Sequence, residues 1–183
     1  MKKNPTFNGG AVNPGNKFNV AFGHRSPNQL VGPKNPCTLK GKWKAELYGP
    51  DGNLKDYREG FNVVTETGAA ALASHLVDAV SGAIAFNFKY MAIGTDATAE
   101  ASSNTALGTE DARHTSTVSL ISNVIYQVVA TFATGSGVGA IVEYGILNSN
   151  TGGTILTRDT ESAINKGAND TLKVTAQLTV NAG

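Results

Sequence analysis

Two segments of the sequence alternate apolar and polar residues, and this alternation constrains the fold more than any other feature. It runs from Lys40 to Tyr48 and again from Thr171 to Val180. Successive side chains of a β-strand point to opposite faces, so a period of two residues is typical of a strand with one buried face. The apolar positions are Trp43, Ala45 and Leu47 in the first segment and Leu172, Val174, Ala176, Leu178 and Val180 in the second.

Turn residues and shorter apolar runs predict a sheet-rich fold around these two segments. Gly49–Asn53 is a turn signal that would close a hairpin returning through Leu54–Tyr57. The 21 glycines and only 16% charged residues also suit a protein with many strands and turns. We therefore predict a mainly β fold, an antiparallel β-sandwich of the jelly-roll or immunoglobulin-like kind. Further strands are predicted at Phe61–Thr65, Phe88–Ile93, Arg113–Ile121, Val124–Thr134, Ala140–Leu147 and Thr154–Arg158.

Three segments between the strands have patterns of their own. Apolar residues at helical spacing predict one α-helix near 67–80, capped by Thr65 or Thr67. Gly94–Asp111 is a polar loop, long enough to be functional or part of an interface. Gly135–Gly139 resembles a phosphate-binding loop only superficially, since such loops precede a helix. With a strand predicted on either side, it is interpreted as a hairpin tip.

The first 36 residues show no sustained periodicity, and recurrent prolines block regular helix formation there. The sequence thus predicts an extended N-terminal arm over residues 1–37 and a β-sandwich domain over residues 38–183. Within the arm, Phe18–Phe22 alternates like a half-buried strand. Large apolar residues without a local core predict burial against a partner. The predicted partner-contact residues are Phe7, Lys17, Phe18, Val20, Phe22, Arg25 and Leu30.

Charge is distributed unevenly along the chain. Residues 1–60 carry ten Lys and Arg against four acids, whereas residues 61–183 carry five against ten. The arm has five cations and no acid, a composition that suits either nucleic acid or an acidic protein surface. It lacks the Arg clusters and interleaved aromatics of a nucleic-acid site. We expect no specific nucleic acid, and a protein surface, including copies of this chain, as the partner.

No group of side chains in the sequence supports catalysis or a cofactor. General acid–base chemistry needs two carboxylates facing each other with separated pKa values, and neighbours in a loop seldom provide that. The acidic pairs are therefore interpreted as solvated loop charges, and the single cysteine as a buried or half-buried thiol. We predict that the chain is not an enzyme and has no catalytic, cofactor-binding or metal-binding residue. The residues considered are His24, His75, His114, Glu110 with Asp111, Asp159 with Glu161, and Cys37.

The hydropathy pattern argues against a membrane partner. No stretch approaches 18 apolar residues, the length at which a transmembrane helix becomes a candidate. The basic start of the chain is not followed by the apolar segment of a secretory signal. A soluble protein is therefore expected.

Several motifs in the last 140 residues resemble a pattern common in structural proteins of tailed bacteriophages. The resemblance covers roughly residues 40–180 and leaves the arm outside it. It implies a virion protein made in the host bacterial cytoplasm, without cofactor or catalytic residue, and trimers are common among such proteins. The motifs are Asp51–Lys55, Phe61–Thr65 with the helix after it, Ala92–Thr95, Asn104–Glu110 with Arg113, Glu143–Asn148, Gly152–Arg158, Ile164–Lys166 and Asp170–Val174.

Within this resemblance, the arm favours one role on the particle. We expect a capsid decoration, or cement, protein on the outer capsid surface, with the sandwich as its body and the arm laid over the major capsid protein. A head or tail fibre or adaptor protein is the alternative. A receptor- or carbohydrate-binding module is a further alternative, disfavoured by one Trp and 7% aromatic residues.

Overall fold

The computed structural model describes residues 37–75 and 87–181, which form two five-stranded antiparallel sheets packed face to face. The predicted antiparallel β-sandwich is confirmed. In spatial order, sheet A consists of β2 (Leu54–Gly60), β1 (Thr38–Tyr48), β10 (Thr171–Asn181), β7 (Ile125–Phe132) and β6 (Thr117–Ser122). In the same way, sheet B consists of β3 (Val63–Val64), β9 (Ile155–Lys166), β8 (Gly139–Leu147), β4 (Tyr90–Gly94) and β5 (Glu110–Thr115).

The inner faces of the two sheets supply the core. The two alternating segments become β1 and β10, the paired strands at the centre of sheet A, and their apolar positions are buried except for Val180. Sheet B contributes apolar side chains from β4, β8 and β9. In the middle of this core the Trp43 and Tyr144 rings stack with their centroids 4.3 Å apart. The alternation of the sequence thus translates directly into the packed layer.

One helix, α1 (Glu66–Ser74), packs against β9. Its N-cap is Thr65, whose Oγ1 accepts a hydrogen bond from the Gly68 N–H at 2.9 Å and lies 2.6 Å from the Ile155 carbonyl oxygen. The cap therefore closes the first turn and also ties the helix to sheet B. Residues 76–80 of the predicted helix lie outside the described residues. In the described part of the chain, no helix is long and apolar enough to cross a membrane.

The single strand predicted at Arg113–Ile121 is wrong, because the chain changes sheets within it. Strand β5 belongs to sheet B and β6 to sheet A. Ser116, between them, is buried, and its backbone N–H donates to the Lys89 carbonyl at 2.7 Å. A run of small polar residues lies where the backbone crosses the sandwich, and the sequence pattern alone does not show that the two halves of this segment join different sheets.

The connection around Gly135 is also different from the prediction. Strands do flank it, but β7 lies in sheet A and β8 in sheet B, so the segment bridges the two sheets and is not a hairpin tip. Gly135 and Gly137 have positive φ angles of 77° and 64°, a backbone conformation that favours glycine. The glycine-rich composition therefore serves a tight crossing between the layers.

Two further predictions are corrected by the burial of side chains. Asp159 was expected in a solvated loop, yet β9 continues past it and its side chain is only 3% exposed. Cys37 was expected to be at least half-buried, but it is exposed immediately before β1. The arm residues Phe7, Lys17, Phe18, Val20, Phe22, Arg25 and Leu30 lie outside the described residues, and their partner contacts stay a prediction.

Candidate interaction surface

A buried carboxylate organises the outer face of sheet B. Glu143 lies on β8 and is fully buried. Its carboxylate accepts hydrogen bonds from the backbone N–H groups of Asp96 at 3.2 Å, Gly108 at 2.9 Å and Thr109 at 2.7 Å. These donors belong to both ends of the loop over residues 95–109, which we call the anchored loop. One side chain thus holds the two ends of the loop against the sheet.

Arg158 completes this site from the neighbouring strand β9. It is 1% exposed, and its Nε and Nη2 donate to the Glu143 carboxylate at 3.1 and 2.9 Å. Its Nη1 donates to the Thr98 carbonyl at 3.1 Å and to Asn104 Oδ1 at 3.2 Å. The guanidinium therefore binds the middle of the anchored loop, while Glu143 binds its ends. The charges of the pair compensate each other, as burial of ionised groups requires.

Apolar contacts add to the anchoring. Leu107 from the anchored loop is buried in a second small core on the outer face of sheet B, with Ala92, Leu147 and Ile155. The contact depends on Gly145, because a Cβ built there would lie 2.6 Å from Leu107 Cδ1. The loop is thus packed as part of the fold, and its conformation is fixed.

Arg113 on β5 holds a second connection in the same region. Its Nη1 donates to the carbonyls of Ser149 at 2.7 Å and Gly152 at 2.8 Å, in the turn between β8 and β9. Its Nε donates to Glu110 at 2.8 Å. The turn and the anchored loop are therefore both fixed by arginines that bind backbone carbonyls, a use for which the fork of five donors is well suited.

Asp159 is the carboxylate that burial perturbs most among those described. Burial raises its pKa to about 8, and the negative charges of Glu100 and Glu161 reinforce the shift. It lines a cavity of about 10 Å³ together with Trp43 and Tyr144. A space of this size accepts no more than about one water molecule. The perturbed carboxylate is therefore a feature of the core and lacks the room for a substrate that an active site needs.

An apolar groove opens at one end of the sandwich, between sheet A and α1. It has a volume of about 320 Å³. The buried side chains of Phe88, Leu156 and Leu178 form its floor, whereas Val118 and Leu120 of β6 form an exposed rim. Leu120 is 73% exposed and Val118 43%, and together they form an exposed apolar patch of the kind that marks interaction sites. Groove and rim together are the main candidate for an interaction surface.

The histidines considered from the sequence are not brought together. His114 on β5 is hydrogen-bonded to Ser136 Oγ at 2.8 Å and packs edge-on against Phe132. His75 is the C-cap of α1, and His24 lies outside the described residues. Among residues 37–75 and 87–181, no group of three or more His, Cys, Asp or Glu could hold a metal ion. Glu110 and Asp111 are exposed, as predicted, but they lie on strand β5 and not in a loop, and Glu110 pairs with Arg113. For Asp159 the prediction of a solvated charge is wrong.

Sequence reasoning missed Glu143 and Arg158, the two residues that matter most for the anchored loop. One signal was present, because Glu143 is a lone charge in the otherwise apolar run of β8. Charged residues are almost never fully buried unless paired, so a lone carboxylate in such a run predicts a cation as its buried partner. Its partner becomes visible only with the register of β8 on β9, in which Gly145 lies opposite Arg158.

Comparisons with known proteins give no relatives for this chain. No family model matches it. No curated protein and no solved structure matches it either.

Proposed function

We propose that this chain is a non-enzymatic structural protein of a tailed-bacteriophage particle. Its place would be on the outer capsid surface as a decoration, or cement, protein. The body, residues 38–183, would sit on the shell, and the arm would reach over the major capsid protein and stabilise it. Copies of the same chain are the second expected partner.

The observation that carries the proposal is where the phage-like motifs lie in the fold. Glu143, Arg158, Asn104, Gly108 and Thr109 come from three separate motifs, yet they meet in one hydrogen-bonded cluster. The cluster fixes a loop onto a sheet and leaves the guanidinium and carboxylate engaged with each other and with backbone groups. The motifs on which the phage resemblance rests therefore hold the fold together, which supports a structural protein and not an enzyme.

The arm and the body differ in charge, which supports different roles for them in the proposed assembly. The arm has five cations and no acid, while residues 37–183 carry ten cations against fourteen acids. An arm of about 36 residues can reach as far as about 120 Å when extended. It can therefore cross a neighbouring subunit and add contact area that the body does not supply. The body offers a rigid sandwich from which such an arm can act.

Deleting residues 1–36 tests this proposal directly. We expect the truncated body to keep the circular dichroism spectrum and unfolding temperature of the full chain, but to lose binding to purified heads that lack the protein. Occupancy would be measured by quantitative gel analysis of sedimented heads. Full occupancy by the truncated body would contradict the role of the arm, and failure of the full chain to bind heads would contradict the decoration role itself.

A fibre or adaptor protein is the second candidate, favoured by the anchored loop. Residues 101–103 in the middle of that loop are exposed, while the loop is held in place by Glu143 and Arg158. A rigid exposed loop is suited to contact a surface outside the particle. The number of copies per particle separates the two roles, because a decoration protein is present in numbers comparable with the major capsid protein and a fibre in few.

A further inference from the structure

The two sheets end in four edge strands, and three of them carry features that prevent pairing with another strand. Strand β2 contains Lys55, Asp56, Arg58 and Glu59, and β5 contains Glu110, Asp111 and Arg113. Strand β3 is only two residues long. Charged side chains and very short strands are the usual means by which proteins protect open sheet edges.

The fourth edge, β6, has none of these features. Its sequence, Thr-Val-Ser-Leu-Ile-Ser, contains no charge and no proline, and all six residues are exposed. Among residues 37–75 and 87–181, it pairs with β7 on one side and with no strand on the other. Within this part of the chain, that second side offers unpaired backbone groups, flanked by Val118, Leu120 and Ile121. An uncharged, apolar, open edge is a template for pairing with a further β-strand.

The pattern of β6 suits pairing with itself. Val118 and Leu120 line the groove, so Ser119 points to the opposite face. In an antiparallel pair centred on Ser119, Val118 of one copy lies opposite Leu120 of the other, and both groove faces stay on the same side. Residues directly opposite each other share a face. This register brings apolar residues together and places no like charges against each other.

We propose that β6 is a homodimer edge, which pairs antiparallel with β6 of a second copy about a two-fold axis at Ser119. Sheet A then continues through both copies as one ten-stranded sheet. Such an interface is self-complementary, as a two-fold contact must be. It covers the exposed rim of the groove in each copy. The inference deepens the proposed function, in which copies of the chain are partners, by naming the surface that they share.

Charge substitutions at Ser119 test the proposed axis. In Ser119→Lys the two lysines of a dimer lie directly opposite each other, and in Ser119→Glu the two glutamates do. The unmodified chain is expected at twice its mass of 18.9 kDa, and each variant alone is expected to dimerise about two- to fivefold more weakly, because like charges directly opposite each other destabilise a strand pair. Light scattering after size exclusion, over a dilution series from about 1 to 100 μM, measures the dissociation constant of a micromolar complex. An equal mixture of the two variants restores the affinity, because opposite charges then meet at the axis.

Controls separate this edge from other occupants and from misfolding. Ser119 is exposed, so both variants are expected to unfold at the temperature of the unmodified chain when all three are diluted until the dimer has dissociated. Leu54→Lys, at an exposed position of the charged edge β2, leaves the dimer intact. A monomeric unmodified chain overturns the proposal, as does a Ser119→Lys variant that dimerises as tightly as the unmodified chain. The proposal is also overturned if deletion of residues 1–36 abolishes the dimer while Ser119→Lys has no effect, because the arm would then form the dimer contact.

This test is independent of the capsid. The effect of the Ser119 variants on mass in solution reports on β6, whereas occupancy on heads reports on the decoration role. A dimer that does not bind heads would contradict the proposed function and leave the edge assignment standing. Binding to heads by a chain that is monomeric in solution would support the proposed function and contradict the assignment of β6 as a dimer edge.

Discussion

At the residue scale, the ion pair of Glu143 and Arg158 shows how a polar group can specify a protein interior. Both side chains are buried and hydrogen-bonded to each other. Glu143 also accepts a hydrogen bond from the Asp96 N–H. Arg158 also donates to Thr98 and Asn104. Two apolar residues could fill the same space, but they would not bind the backbone of the anchored loop. The pair therefore selects one conformation for a loop whose sequence has no regular pattern.

Breaking this pair is expected to cost much more than breaking an exposed one. Arg158→Met leaves the Glu143 carboxylate buried without its cation, and we expect the free energy of unfolding to fall by about 3–5 kcal/mol. Arg58→Met is the matched control, since its pair with Asp56 is partly exposed and such pairs contribute about 0–1 kcal/mol. Urea denaturation measures both.

The double variant Arg158→Met with Glu143→Gln identifies the cause of the loss. Removing the charge of the remaining partner should recover part of the stability, because the uncompensated buried carboxylate is then gone. A double variant that is less stable than Arg158→Met alone would contradict this explanation.

Asp159 is expected to make the protein less stable as the pH rises. Its pKa in the folded chain is about 8, against about 4 for an ordinary aspartate. Between these values the folded protein keeps a proton that the unfolded chain has lost. The contribution of protonated Asp159 to the free energy of unfolding is therefore fully present below about pH 4 and is lost as the pH rises to about 8. Asp96, Glu100 and Asp170 have lowered pKa values, so they change the stability mainly at more acidic pH, where these carboxylates become protonated.

Thermal unfolding at pH 5 and pH 8 tests this prediction. The unmodified chain should unfold at a lower temperature at pH 8, and Asp159→Asn should remove most of the difference because an amide does not titrate in this range. Asp111→Asn, at an exposed position of β5, should leave the difference in place. An identical pH dependence for Asp159→Asn and the unmodified chain would show that another group is responsible.

At the scale of single elements, α1 is positioned by a close approach to β9. A Cβ built on Gly68 would lie 2.6 Å from the Leu156 Cα, so the helix backbone rests directly on the strand. Gly68→Ala should force the two apart and lower the free energy of unfolding by about 1–3 kcal/mol, although alanine is the better helix former. Ala69→Ser, at an exposed position of the same helix turn, should change it by less than about 0.5 kcal/mol. A Gly68→Ala variant as stable as the unmodified chain would contradict the close contact.

The elements that the sequence predicted are those whose pattern is local. The strands β1 and β10 and the hairpin from β1 to β2 follow from alternation and turn residues. The crossing between sheets at Ser116 and the length of β9 cannot be predicted from such local patterns, because both depend on which sheet each segment joins. The predicted strand ends at Arg158, whereas β9 continues through Asp159 to Lys166, two charged residues whose burial is tertiary in origin. The anchored loop was recognised by its length, but what fixes it lies on two other strands.

At the scale of the whole molecule, the chain divides its apolar residues between a packed body and an arm. In the body, alternation places them between two sheets, where they need no partner. In the arm, Phe7, Phe18 and Phe22 lie in a sequence with recurrent prolines and no sustained periodicity, which predicts their burial against a partner surface. This distribution is what the proposed arm contact explains.

The relative strength of apolar and charged residues decides how the arm should bind. Burying a Phe side chain contributes about 1.5–3 kcal/mol, whereas an exposed ion pair contributes about 0–1 kcal/mol. Replacing Phe7, Phe18 and Phe22 by serine should therefore reduce occupancy on heads more than replacing all five arm cations by glutamine. The cation variant should instead bind with less dependence on salt, because screening acts on charges. Head occupancy at about 50 and 500 mM NaCl measures both effects, and equal binding by the Phe variant and the unmodified arm would show that these side chains are not the anchors.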